Sequence, residues 1–164
     1  MTRFVAVAEI AAPAADVWAL LTDWPAQGRM VPLSTVTVLT PLAGGVGARF
    51  VGRSSLAVIG LDRIGFDDPM EVTAWQPPVD GLPGRCEVRK LGRVVRGWAA
   101  FDVVASTDPA GRPVTRVLWE EDIDIAPRAL TRLLAPVVSL AGRLAFTAML
   151  RAVGRQLTGP TSRT

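Results

Sequence analysis

The sequence predicts an α+β fold, one antiparallel sheet covered on one face by a long C-terminal helix. Three observations carry this. The elements run strand, short helix, about six further strands, then one long helix. The later strands are separated by short turns rich in glycine and proline, and hairpin connections give antiparallel pairing. The last apolar stretch, residues 136–157, carries no proline after Pro136. No linker, internal repeat or low-complexity tract interrupts the 164 residues, so one domain is expected over 1–164.

Residues 4–10 alternate as a strand, with Phe4, Ala6, Ala8 and Ile10 on one face. Ala11-Ala-Pro13 ends it, and Val17, Leu20 and Leu21 stand at helical spacing over 14–22. Asp16 lies in the first turn of that helix, where a carboxylate suits the dipole. Asp23-Trp24-Pro25 stops it, leaving 27–32 as a short helical turn or loop. Strands are expected at 35–39, 48–56 and 70–75, the last preceded by a bend at Asp67-Asp68-Pro69. Residues 85–91 and 94–105 flank Gly92 as a hairpin, and 114–125 is a long alternating strand. Residues 129–135 give one or two helical turns before the main helix, which Pro136 opens, since its missing N–H costs nothing there. On that helix Ser139, Arg143, Thr147 and Arg151 form a polar stripe. Ala141, Ala145, Ala148 and Ala152 mark the middle of the apolar face expected to meet the sheet, with Val137, Val138, Leu144 and Met149 beside them.

Composition narrows the function. Hydrophobic residues make up 49% and charged residues 20%, the balance of a chain with a packed core. The net charge is +3 and the pI about 10.3. Its basic residues are arginines apart from Lys90, scattered singly and without interleaved aromatics, which argues against nucleic-acid binding. Cys86 is the sole cysteine, excluding an internal disulfide and fitting a reducing, cytoplasmic setting. Residues 129–150 are the nearest approach to a membrane span, but Arg132 and Arg143 interrupt them, so stable insertion is not expected.

Several stretches resemble the Bet v 1-like, START-like helix-grip superfamily, more narrowly its polyketide cyclase/dehydrase (SRPBCC) proteins. They are Ile10-Ala-Ala-Pro13 with Asp16-Val-Trp18-Ala-Leu-Leu-Thr-Asp23-Trp24, the strand end Val72-Thr-Ala-Trp75-Gln-Pro-Pro78, Val114-Thr-Arg-Val-Leu-Trp119, and the long last helix. The resemblance spans essentially the whole chain. It implies a curved sheet of about seven strands around the terminal helix, enclosing a cavity for an apolar molecule. Members include cyclases, dehydratases, lipid carriers and hormone receptors, and fold analogy alone does not choose among them.

The chain has no histidine and no tyrosine, which removes the commonest general base, the commonest metal ligand and the phenolic acid. No metal site, no cofactor and no Ser/His or Cys/His nucleophile system is expected. Gly44-Gly45-Val46-Gly47 lacks the spacing of a phosphate loop and reads as a hairpin turn. Any catalysis rests on carboxylates, arginines, hydroxyls and water. Glu121 is the leading candidate: alternation groups it with Val117, Trp119 and Ile123 on the more apolar face of the last strand. A carboxyl buried there is a candidate acid or base near neutrality. The competing readings pair it with Arg53 or Arg89 at the cavity mouth, or expose it through a bulge. Arg53 and Arg89, both mid-strand, either anchor an acidic head group or face solvent. Trp98 and Trp119 either flank a ligand or fill the core against the helix alanines. Trp18, Trp24 and Trp75 read as core filling. Met70 is an adaptable lining residue, and Leu144 and Ala148 complete the candidate cavity wall from the helix side.

The leading expectation is therefore binding or transport of an apolar or polycyclic, lipid- or polyketide-like molecule between sheet and helix. Apolar burial contributes roughly 25 cal/mol per Å² to such binding. The alternatives are an aromatase/cyclase or dehydratase using Glu121 as acid/base, and an interaction module.

Overall fold

The computed structural model describes residues 2–30, 34–40, 44–56, 61–126 and 128–159. Its elements are β1 (Thr2–Ile10), α1 (Ala14–Thr22), α2 (Trp24–Met30), β2 (Ser34–Val38), β3 (Arg49–Leu56), β4 (Leu61–Gln76), β5 (Gly84–Leu91), β6 (Val95–Thr107), β7 (Pro113–Ile125) and α3 (Arg128–Thr158). The strands form one seven-stranded sheet in the order β1-β7-β6-β5-β4-β3-β2. Every neighbouring pair is antiparallel. This is the expected α+β architecture, with α3 lying chiefly against β1 and β7.

The meander from β2 to β7 follows from its turns. Gly45 and Gly47 both take positive φ between β2 and β3, a backbone conformation open to glycine at little cost. At residues 108–112, Asp108 accepts hydrogen bonds from the backbone N–H groups of Ala110 and Arg112 and closes the β6–β7 hairpin. β1 is then brought to the far side of β7, and Thr115 of β7 donates to the Ala12 carbonyl at 2.7 Å, locking the chain where β1 turns into α1.

Three expectations are corrected. Asp67-Asp68-Pro69 is not a bend ahead of a strand but part of β4, paired with β3 through Gly52↔Asp68 and Val51↔Pro69. Proline is tolerated because the β4–β5 ladder begins only at Met70↔Lys90. Second, Asp23-Trp24-Pro25 both stops one helix and starts another. The Asp23 carboxylate accepts the Ala26 N–H at 3.0 Å as a cap, and Pro25 sits in the first turn of α2.

The third correction concerns α3. It is one continuous helix with Pro136 inside it, exposed where solvent can hydrate a freed carbonyl. Its buried side is not the alanine stripe. Ala141 and Ala148 are exposed and Ala145 and Ala152 half-buried, while Val137 and Leu144 remain 64% and 59% exposed. The face turned to the sheet carries Met149, Leu150 and Val153, all fully buried, with Gly142 and Phe146 alongside. Burial scales with apolar area, so the bulkier residues take the inward side. Close approach is provided by Gly142, where an added Cβ would lie 2.6 Å from the Phe4 ring.

Candidate functional site

A cavity of about 230 Å³ opens on the concave side of the sheet. Its walls come from β2 to β7, with Trp24, Gln27 and Gly28 of α2 and Phe146 of α3 closing it. Most of the lining is apolar. Phe101, Trp119 and Phe146 stack in series, with centroids 5.3 and 4.8 Å apart. Trp24 stacks on Phe50 at 4.3 Å beneath α2. Trp18 and Trp75 meet edge to face at 5.2 Å and belong to the core around α1, as expected of them.

One region of the lining is charged. Asp68 on β4, Lys90 on β5 and Glu121 on β7 all face inward, because strand alternation places them on the concave side. Lys90 pairs with Gly97 of β6, and Ala99 of β6 pairs with Glu121. These two small β6 residues leave room for the side chains of β5 and β7 to meet across the intervening strand. Gly97 takes φ +133°, and a Cβ there would collide with the Asp122 carbonyl, so glycine is required. The Lys90 Nζ lies 2.8 Å from Asp68 Oδ2 and 3.6 Å from Glu121 Oε2. Trp119 donates its indole N–H to Glu121 Oε1 at 3.1 Å. Asp68 Oδ1 is buried and has no hydrogen-bond partner among the described residues.

Burial and attraction compete within this cluster. Desolvation alone would lower the Lys90 amine, but the Glu121 and Asp68 carboxylates together more than offset it and hold it above its ordinary value. Lys90 is therefore an ammonium. Burial pushes the Glu121 carboxyl up, and Lys90 and the Trp119 N–H only partly reverse this. The difference is geometric: the ammonium is held closely by Asp68, leaving Glu121 the longer contact. Cys86 also lines the cavity, and burial pushes its thiol up to about 12, so it is a poor nucleophile. Among the described residues no three His, Cys, Asp or Glu side chains converge to hold a metal.

Of the residues singled out in the sequence, Glu121, Trp119 and Met70 line the cavity, and Glu121 is 3% exposed. Its partner is Lys90, not Arg53 or Arg89. Arg53 is on the surface, 3.7 Å from Asp67, and Arg89 is exposed. Trp98 is half-buried on the other face of β6, where the register sets it between Arg89 and Asp122. Leu144 and Ala148 point to solvent with the alanine stripe of α3. None of these five lines the cavity among the described residues. Each was placed by the period of its own element, and for β3, β5, β6 and α3 that period does not tell which face is concave.

Sequence reasoning missed Lys90 and Asp68. A lone lysine among seventeen arginines was a signal. Arginine stays charged wherever it is placed, whereas lysine is a compact cation whose pKa responds to burial and to its neighbours. Asp68 was hidden by the assignment of Asp67-Asp68-Pro69 to a bend.

No protein-family model matches the chain, and no curated protein matches its sequence. Solved structures do match its fold. A protein from Thermus thermophilus is similar over 98% of this chain and 99% of that one, at 16% identity and a TM-score of 0.71. The Zhui aromatase/cyclase from a Streptomyces species matches over 98% of this chain and 98% of its own length, at 17% identity and a TM-score of 0.65. A truncated norcoclaurine synthase from Thalictrum flavum matches over 96% of this chain and 93% of its own, at 13% identity and a TM-score of 0.58. At these identities the likeness is one of fold: the chain has the helix-grip fold.

Proposed function

We propose that this protein binds an apolar, lipid- or polyketide-like small molecule in the cavity, acting as a single domain in a reducing, cytoplasmic setting. The observation that carries the reading is the cavity itself: about 230 Å³, walled by stacked aromatics and Met70, with one charged cluster. Sites of that make-up, apolar walls with a few convergent polar groups, are the usual form of small-molecule pockets. Trp119 and Met70 supply contact area, and the cluster orients the ligand. Calorimetric and thermal-shift titration with fatty acids, sterols and aromatic polyketides tests it. A ligand at about 100 times its Kd adds about 2.7 kcal/mol, which raises Tm by about 5–10 °C in a chain of this size. No shift with any of the three classes, nor with a small neutral aromatic of two rings, overturns the reading.

A second reading has its own observation. Glu121 is a buried carboxyl whose pKa burial raises, set beside an ammonium, the pairing an acid/base catalyst needs. In an aromatase/cyclase or dehydratase, Glu121 would take or return the substrate proton while Lys90 offsets charge on a carbonyl oxygen. Turnover of a poly-β-ketone mimic that disappears in Glu121→Gln while ligand binding persists supports it. Binding without turnover in the unaltered protein rejects it.

A further inference from the structure

We propose that the cavity selects small neutral ligands, of about two fused rings, and that it rejects carboxylate head groups. The inference rests on the binding reading above and narrows it by charge and size.

Charge decides first. The polar end of the cavity holds one ammonium and two carboxylates. With all three ionised the cluster carries one net negative charge; with Glu121 protonated it is neutral. Neither state has positive charge to spare, because Lys90 is already held by Asp68 at 2.8 Å. A carboxylate entering this region would be desolvated beside two others, which is costly in a site of low dielectric. Arg53 and Arg89, the arginines weighed as anchors for an acid, do not line the cavity among the described residues.

Size decides second. An engineered apolar cavity of about 150 Å³ takes benzene, whereas pockets for drug-sized ligands run from roughly 300 to 1,000 Å³. At about 230 Å³ this cavity lies between them, which suits two rings and excludes a sterol.

The test is calorimetric titration of the full chain at about pH 7 with 2-naphthol, 2-naphthoate and 2-methylnaphthalene. 2-Naphthol and 2-methylnaphthalene are each expected to bind at least tenfold more tightly than 2-naphthoate. Asp68→Asn, which frees Lys90 and removes one carboxylate, is expected to narrow the gap between naphthol and naphthoate to under threefold; Glu121→Gln serves if that variant does not fold. Naphthoate binding as tightly as either neutral ring system overturns this inference and leaves the binding reading standing. Failure of all three, with no ligand found in the broader screen, overturns both.

Discussion

A carboxyl buried beside one ammonium and a second carboxylate is costly to ionise, and Glu121 occupies that position. Its folded-state pKa lies above the unfolded one, so the fold favours the protonated form. Stability linked to this group is therefore fully present below the ordinary carboxyl range and is lost as pH rises toward the shifted value. Facing it are Lys90 from β5, Asp68 from β4 and the Trp119 N–H from its own strand. Glu121→Gln removes the penalty, so its Tm relative to the unaltered protein is expected to rise as pH climbs from the ordinary carboxyl range to neutrality. A gap that stays constant or shrinks over that interval would contradict the assignment. Lys90 behaves oppositely. Lys90→Met leaves two buried carboxylates uncompensated and is expected to cost about 3–5 kcal/mol in urea denaturation. Adding Asp68→Asn and Glu121→Gln to it should recover at least half of that loss. Alternation along β7 was enough to send Glu121 inward. Its partner was not legible, because Lys90 lies two strands away and sequence distance says nothing of that contact.

At the scale of the element, α3 tests how far helical periodicity reaches. Period alone does not separate its wet side from its dry one, because both sides of α3 carry apolar residues: Ala141 and Ala148 of the alanine stripe are exposed and Ala145 and Ala152 only half-buried. Met149→Ala, at a fully buried position, is expected to cost about 2–5 kcal/mol. Leu144→Ala, on the exposed side, should stay within about 0.5 kcal/mol. Equal effects at the two positions would mean the helix is rotated from the orientation described. Gly142→Ala sets two effects against each other. Helix propensity favours alanine by about 1 kcal/mol, but the new methyl would sit 2.6 Å from the buried Phe4 ring. Overpacking of this kind costs about 1–3 kcal/mol, so a net loss of stability is expected.

For the whole molecule, Cys86 is a reporter of opening. It sits on β5 in the cavity wall, fully buried, with its thiol pushed up to about 12. Labelling by an aromatic disulfide reagent at neutral pH should therefore proceed only through opening of the sheet, and bound ligand should slow it in proportion to the stability it adds. Rapid stoichiometric labelling of the native protein, unaffected by a saturating ligand, would mean that the cavity wall is not closed as described. The same geometry explains why a chain without histidine can still present a polar site: three common charged side chains, brought from β4, β5 and β7, do what no single motif advertises.

The order of strands and helices, the antiparallel meander and the inward side of β7 were determined by the sequence alone, because periodicity and turn chemistry act over a few residues. Which side of α3 meets the sheet, which face of β5 and β6 is concave, and the meeting of Asp68, Lys90 and Glu121 were decided only by the tertiary structure. Those choices depend on the curvature of seven strands together and on the area buried between elements far apart in the chain, and no local pattern encodes either.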